Sequence, residues 1–388
     1  MASVTRNGQP RGHTVRVQST PSGTGQDAGS GDLDTVRADL PTRFRAHAQV
    51  MERHGRSPLS VALMQGAADD LEKGGIVAEL YTGVPLPAGQ APALRLLAAL
   101  HRLVLSGEAP ELAGYYPSMG GNAPPEGAWE VAERTLRAHA QEIGAVLRRG
   151  VQTNEPGRSA VLFGVLLWVA DRYRRPVRLL EIGASAGLNL LAENFAYRSS
   201  GALLGDPDSA LVFEGPWVST PVDDPADAQQ HLTVLERRGC DIAPIDATSR
   251  DGQLALLSYI WPDEPKRLAR MRAALEVAEQ HPPVVDDAPA SPWLRKVLAD
   301  RQPSTVQLVW QSVFAQYLTS EDRDELSVTM EAAGAQATED VPLVWARMEP
   351  STDPLKGFGV SAICWPGGEE TLLARSGDHG PPVRWTRA

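Results

Sequence analysis

The run Leu179-Leu-Glu-Ile-Gly-Ala-Ser-Ala-Gly-Leu-Asn-Leu constrains this chain more than any other segment. Val177–Ile182 reads as a short buried strand. It closes on an acid and a glycine, turns, and enters a helix-like stretch, Leu188–Tyr197. Gly183 and Gly187 permit backbone conformations closed to other residues and let a ligand approach the main chain. The helix start beyond them offers unpaired N–H groups and a positive dipole end. Glu181 stands near the strand's carboxyl end, where open α/β sheets place ligands. The plainer alternative is a tight strand-to-helix turn with no ligand.

The flanking sequence supplies layers for such a strand. Residues 1–40 are rich in Ser, Thr, Gly, Gln and Asp and poor in large apolar groups, which predicts a disordered tail. Residues 41–172 carry apolar positions at helical spacing, such as Phe44, Ala48 and Met51, and predict an N-terminal helical lid module. Its last segment, residues 158–170, is apolar nearly all round and predicts a buried helix. From 173 to 388 the rhythm switches to short β-type runs at 177–182, 210–213, 254–260, 306–313, 341–348 and 359–365, with helical stretches between several of them. That alternation predicts an α/β fold with a Rossmann-like, mostly parallel sheet. The short connection between the last two runs predicts a C-terminal antiparallel hairpin.

Composition narrows the function classes. The net charge is −11 and no dense Lys/Arg stripe is present, which argues against nucleic acid as a partner. No run approaches the ~18 apolar residues of a membrane helix. Cys240 and Cys364 are the only cysteines, too few for a zinc cluster, and no metal site is expected. Free thiols and the lack of an apolar leader suit a cytoplasmic protein. A small molecule is the expected partner; the oligomeric state is not legible.

The Gly turn is a poor dinucleotide fingerprint. It resembles the first motif of class I S-adenosylmethionine (SAM)-dependent methyltransferases, E/D-x-G-x-G-x-G, read here as Glu181-Ile-Gly183-Ala-Ser185-Ala-Gly187 with Ser185 at the middle glycine. That resemblance implies SAM along 181–187, with Asn189 opening the helix beyond. An acid ending the second strand would take the ribose hydroxyls, and Glu214 is the candidate. Asp241 or Asp246 would close the third strand near an adenine. Each acid has an ordinary alternative as a loop or turn residue.

Further candidates follow the strands. The run at 254–260, taken as the fourth strand, leads into Trp261-Pro-Asp263; Trp261 could lie against a sulfonium, and Asp263 could act as a base. The alternative is a core Trp and a helix cap. Amine methyltransferases often carry Asn/Asp-Pro-Pro-aromatic here, which this chain lacks. Gln311 and Tyr317 close the fifth run. In the helical module, Tyr115 and Tyr116 read as exposed turn aromatics. Asn154, Glu155 and Arg158 read either as helix-start residues or as a lid meeting a zwitterionic substrate.

Taken together, Tyr-Tyr-Pro-Ser, Val-Gln-Thr-Asn-Glu-x-x-Arg-Ser, the Gly turn, Arg-Arg-Gly-Cys-Asp, Ser-Tyr-Ile-Trp-Pro-Asp and His379-Gly-x-x-Val-x-Trp resemble the bacterial DUF2332 family over about 42–386. The resemblance implies a methyltransferase-like core with an N-terminal helical part. In that family the fifth run often reads Trp-His-Ser; this chain has Trp310-Gln311-Ser312. The first expectation is therefore a SAM-dependent methyltransferase-like enzyme acting on a small polar or amino-acid-derived substrate. Catalytic candidates are Asp263, Glu155, Gln311 and Tyr116. The alternatives are a SAM-independent enzyme of the same fold closing an amine onto a carbon that bears a leaving group, and a non-catalytic binding or scaffold protein.

Overall fold

The computed structural model describes residues 39–386, apart from His54, Arg56, 87–90, Gln152, Thr352 and 354–356. The expected tail lies, up to residue 38, outside the described residues. From Leu40 on the chain forms one compact unit.

Helices Leu40–Arg53, Pro58–Glu72, Pro92–Ser106, Ala128–Ala138 and Ala140–Arg148 come first. Pro58 and Pro92 stand at helix starts, where a missing N–H costs nothing. Their apolar stripes close on one core that includes Phe44, Met64, Leu96, Leu100 and Leu147. Helix Ser159–Tyr173 is buried through Ala170, apart from half-buried Trp168, as its nearly all-round apolar pattern predicts; it packs in the core of the sheet.

Among the described residues twelve strands follow: β1 Val177–Ile182, β2 Ala196–Ser199, β3 Ala202–Gly205, β4 Val212–Glu214, β5 Trp217–Ser219, β6 Val234–Asp241, β7 Val285–Asp287, β8 Val306–Ser312, β9 Leu343–Pro350, β10 Phe358–Trp365, β11 Glu369–Gly377 and β12 Gly380–Trp385. Nine form one mostly parallel sheet in the order β5-β12-β11-β10-β9-β8-β1-β6-β7. The block β9-β8-β1-β6-β7 is parallel throughout. The predicted antiparallel hairpin is β9–β10, and β11 and β12 extend it.

Strand periodicity places the layers. Leu179, Leu308 and Val344 face one core with helices Ser159–Tyr173 and Pro265–Gln280. Leu180, Val309 and Trp345 face the other, under helices Ala290–Val297 and Ser320–Gly334. With both faces covered, β1 is buried at every position.

Two sequence expectations are corrected. The run at 254–260 is not a strand: helix Arg250–Ser258 covers most of it, capped by Ser249, whose hydroxyl accepts the Gly252 N–H. A short apolar run cannot be assigned by periodicity alone. The run at 210–213 belongs to a separate three-stranded sheet, β3-β2-β4, so Glu214 is remote from the central strands.

Candidate functional site

From β1 the chain moves outward to β6 and β7 on one side and later to β8 and β9 on the other. The strand order thus reverses between β1 and β8. Open α/β sheets bind ligands outside the carboxyl ends of the strands at such a point. A cleft of about 260 Å³ lies there, walled by Gly183 and Ser185 after β1, Asp241 and Ile242 at the end of β6, and Val313 and Phe314 after β8. Gly150, Val151, Thr153, Asn154 and Arg158 wall it from the helical side. A second cavity of about 200 Å³ adjoins it and shares Gly183, Asp241, Ile242, Phe314 and Tyr317. Together the two reach the ~300–1,000 Å³ of small-molecule sites.

The floor is a bend with unusual backbone. Gly183, Ser185 and Gly187 have φ of 66°, 54° and 73°. Val313, directly across the cleft, has φ of 54°, a conformation that β-branched residues rarely take. Such strain persists only where the surroundings enforce it, and it clusters at functional sites. Gly183 has a second reason to lack a side chain: a Cβ there would lie 2.3 Å from the Phe314 ring. Gly187 packs equally closely on Pro283 and Val285.

Four N–H groups of the bend are engaged within the chain. Ala184 donates to the Cys240 carbonyl at 3.0 Å, and Gly187 to the Ala184 carbonyl at 2.8 Å. Ser185 donates to Asp241 Oδ2 at 2.9 Å, and Leu188 to Asn154 Oδ1 at 2.8 Å. Beneath the floor, Asn189 accepts from the Ser159 hydroxyl at 2.9 Å and donates to Glu181 Oε1 at 3.4 Å. Glu181 Oε2 is buried with no hydrogen-bond partner among the described residues. Burial pushes the Glu181 carboxyl up to about 8, against Asn189 and Arg158 and with help from the Asp241 charge.

Several sequence candidates therefore meet. Asn154, Arg158, Gly183, Ser185 and Tyr317 line the cleft, with Glu181, Gly187 and Asn189 in or under its floor. Arg158 donates to the Asp378 and Ser312 carbonyls at 3.3 and 3.4 Å, which ties the start of helix Ser159–Tyr173 to the sheet.

Other candidates lie elsewhere. Glu155 is buried and faces away, bonded to Arg267 at 2.8 Å, Arg270 at 3.5 Å and the Gly157 N–H at 3.0 Å. Gln311 bridges Glu349 and the Trp345 indole N–H within the body. Tyr116 is not an exposed turn aromatic: it is buried in the helical core, 5.2 Å between ring centroids from His101. Tyr115 and Trp261 pack on that same core. Trp261 and Asp263 cannot end a fourth strand, because their segment joins two helices, Arg250–Ser258 and Pro265–Gln280. Glu214 is exposed and paired with Arg198. Asp246 holds a turn through the Thr248 N–H and hydroxyl, outside the bend.

The acid at the end of the strand beside β1 is Asp241, which the sequence reading set beside Asp246 at a third strand. Ile242 and Phe314 were not identified. Ile242 is 76% exposed although it is a large apolar group at the cleft mouth. Its position directly after a strand-closing acid was the one available signal.

These features define an α/β protein with a cleft at the topological switch of its sheet. The profile of a family described as "Uncharacterized protein conserved in bacteria (DUF2332)" matches residues 42–385, and the chain belongs to that family. No curated protein and no solved structure matches it.

Proposed function

We propose that the chain is a SAM-dependent methyltransferase-like enzyme with a Rossmann-like, class I core, acting on a small polar or amino-acid-derived substrate. The carrying observation is the state of the Gly turn. A dinucleotide needs free N–H donors for its pyrophosphate. Here the N–H groups of Ala184, Ser185, Gly187 and Leu188 already have partners, and the Asp241 carboxylate adjoins the bend. That carboxylate would repel a phosphate, whereas a cationic ligand rich in hydroxyls suits the site and would favour the charged form of Glu181 as well.

The residues present fit SAM. Each carboxylate oxygen of Asp241 has a further lone pair for a ribose hydroxyl beyond its bonds to Ser185 and Ala243. Exposed Ile242 offers an apolar face for a base. Arg158 and Asn154 would hold the polar amino-acid end. When bound, SAM supplies an electrophilic methyl group. The chain's part is to align the acceptor and exclude water, which needs no elaborate base.

The SAM-independent displacement reading rested partly on Gln311, Glu155 and Asp263. The first two are engaged in internal bonds and none of the three lines the cleft. The open polar cleft favours an enzyme over an inert scaffold. Calorimetry with SAM, S-adenosylhomocysteine and NAD tests the proposal. Binding of the first two but not of NAD is expected. No SAM binding at about 1 mM, the affinity worth roughly 4 kcal/mol, would remove it.

A further inference from the structure

A cavity larger than the cleft lies beside it. It has a volume of about 760 Å³ and shares Gly150, Ile242 and Ala243 with it. Its outer walls are the end of helix Ala140–Arg148, helix Arg250–Ser258 and the loop after β6. Three guanidinium groups, Arg102, Arg148 and Arg149, line it in a chain of net charge −11. Their pairing is uneven. Arg102 donates to both the carboxylate and the carbonyl of Asp251. Arg149 reaches that same carboxylate only at 3.9 Å and is largely exposed. Arg148 is exposed and has no ion pair to a described residue. Of the other acids there, Asp246 is committed to Thr248, and Asp287 stands at the end of β7, on a different element from the arginines.

We propose that this groove is the acceptor site and that the acceptor carries an acidic group, a carboxylate or a phosphate, held by Arg148 and Arg149. The guanidinium fork matches both groups bidentately. The inference rests on the SAM reading, because the shared wall of Gly150, Ile242 and Ala243 is what would bring the acceptor beside the cofactor. It narrows the substrate class to acidic small molecules.

Citrate and inorganic phosphate are the probes, titrated by calorimetry at low ionic strength into wild type and the double variant Arg148→Glu/Arg149→Glu. Both positions are exposed, and a thermal melt checks that the variant folds. At least one anion is expected to bind wild type with millimolar affinity and the variant at least ~10-fold more weakly, with SAM affinity unchanged. Citrate binding alone would assign a carboxylate, and phosphate binding alone a phosphate. Equal anion affinity in the variant, or no anion binding at about 10 mM, overturns the groove. Anion binding without SAM binding would overturn the cofactor reading and leave the groove as an anion site.

Discussion

The side-chain carbonyl of Asn154 accepts the Leu188 N–H at 2.8 Å, joining the loop before helix Ser159–Tyr173 to the first residue beyond the Gly turn. One bond thus holds that loop against the Gly turn and occupies a donor that a phosphate would otherwise use. Asn154→Ala leaves that buried N–H without a partner. It should cost about 1–3 kcal/mol of stability, read as a lower urea midpoint. SAM affinity should fall with it.

Glu181 should make both stability and binding depend on pH. Its folded value of about 8 lies above that of an unfolded carboxyl. Between roughly pH 4.3 and the folded value, the folded state holds a proton that the unfolded state releases. Stability of the free protein should therefore fall as pH rises through that window and level off above it. Glu181→Gln should flatten the slope. A cationic ligand beside the carboxyl favours its charged form, so SAM should bind more tightly as pH rises from 6 to 8 and release a proton measurable in buffers of different ionisation enthalpy.

Glu155 should behave in the opposite sense. Burial works against its charge, but Arg267, His379, the Gly157 N–H and Arg270 outweigh that and hold the carboxyl below its ordinary value. Its contribution is present above the unfolded carboxylate range and is lost as pH falls through the folded value. Glu155→Gln leaves Arg267 with Glu264 as its remaining carboxylate partner and should cost about 1–3 kcal/mol at neutral pH, with a smaller penalty in acid. Equal denaturant midpoints for variant and wild type at pH 7 would show that the ion pair adds nothing.

Asp241→Ala removes the acceptor of the Ser185 N–H and the carboxylate assigned to the ribose. Hydrogen bonds to charged groups contribute about 1.5–3 kcal/mol, so SAM affinity should drop by at least ~10-fold. Glu214→Ala should leave it unchanged, since that acid is exposed on another sheet.

Gly183→Ala combines a φ of 66° with a Cβ placed 2.3 Å from the Phe314 ring. The expected loss is about 1–3 kcal/mol. Part of it is steric, so in a Phe314→Ala background the same substitution should cost less, a coupling that a double-mutant cycle measures directly.

The segments that could be read from sequence are those whose side chains follow one rule locally. β1 is buried at every position because both faces of the sheet are covered, with Val177, Leu179, Leu180 and Ile182 as its apolar residues, and helix Ser159–Tyr173 is apolar nearly all round through Ala170 for the same reason. β6 follows no such rule. It reads Val-Leu-Glu-Arg-Arg-Gly-Cys-Asp because Glu236, Arg237 and Arg238 are satisfied by ion pairs to Arg178, Glu193 and Asp286 from other elements. The sequence reading places the second strand at 210–213, which sets the ribose acid at Glu214 and leaves Asp241 or Asp246 to a third strand; the run at 254–260 then reads as a fourth strand, although most of it is helix.

The sequence by itself determined the α/β class, the central strand with its Gly turn, the helical segments before it and the closing hairpin, since each follows from spacing along a few residues. Which polar groups share the cleft was decided by the fold alone. Glu155 and Asn154 are neighbours in the chain, yet one is drawn to Arg267 and the other to the Leu188 N–H. That choice depends on partners 30 to 120 residues away (roughly), and no local pattern encodes it.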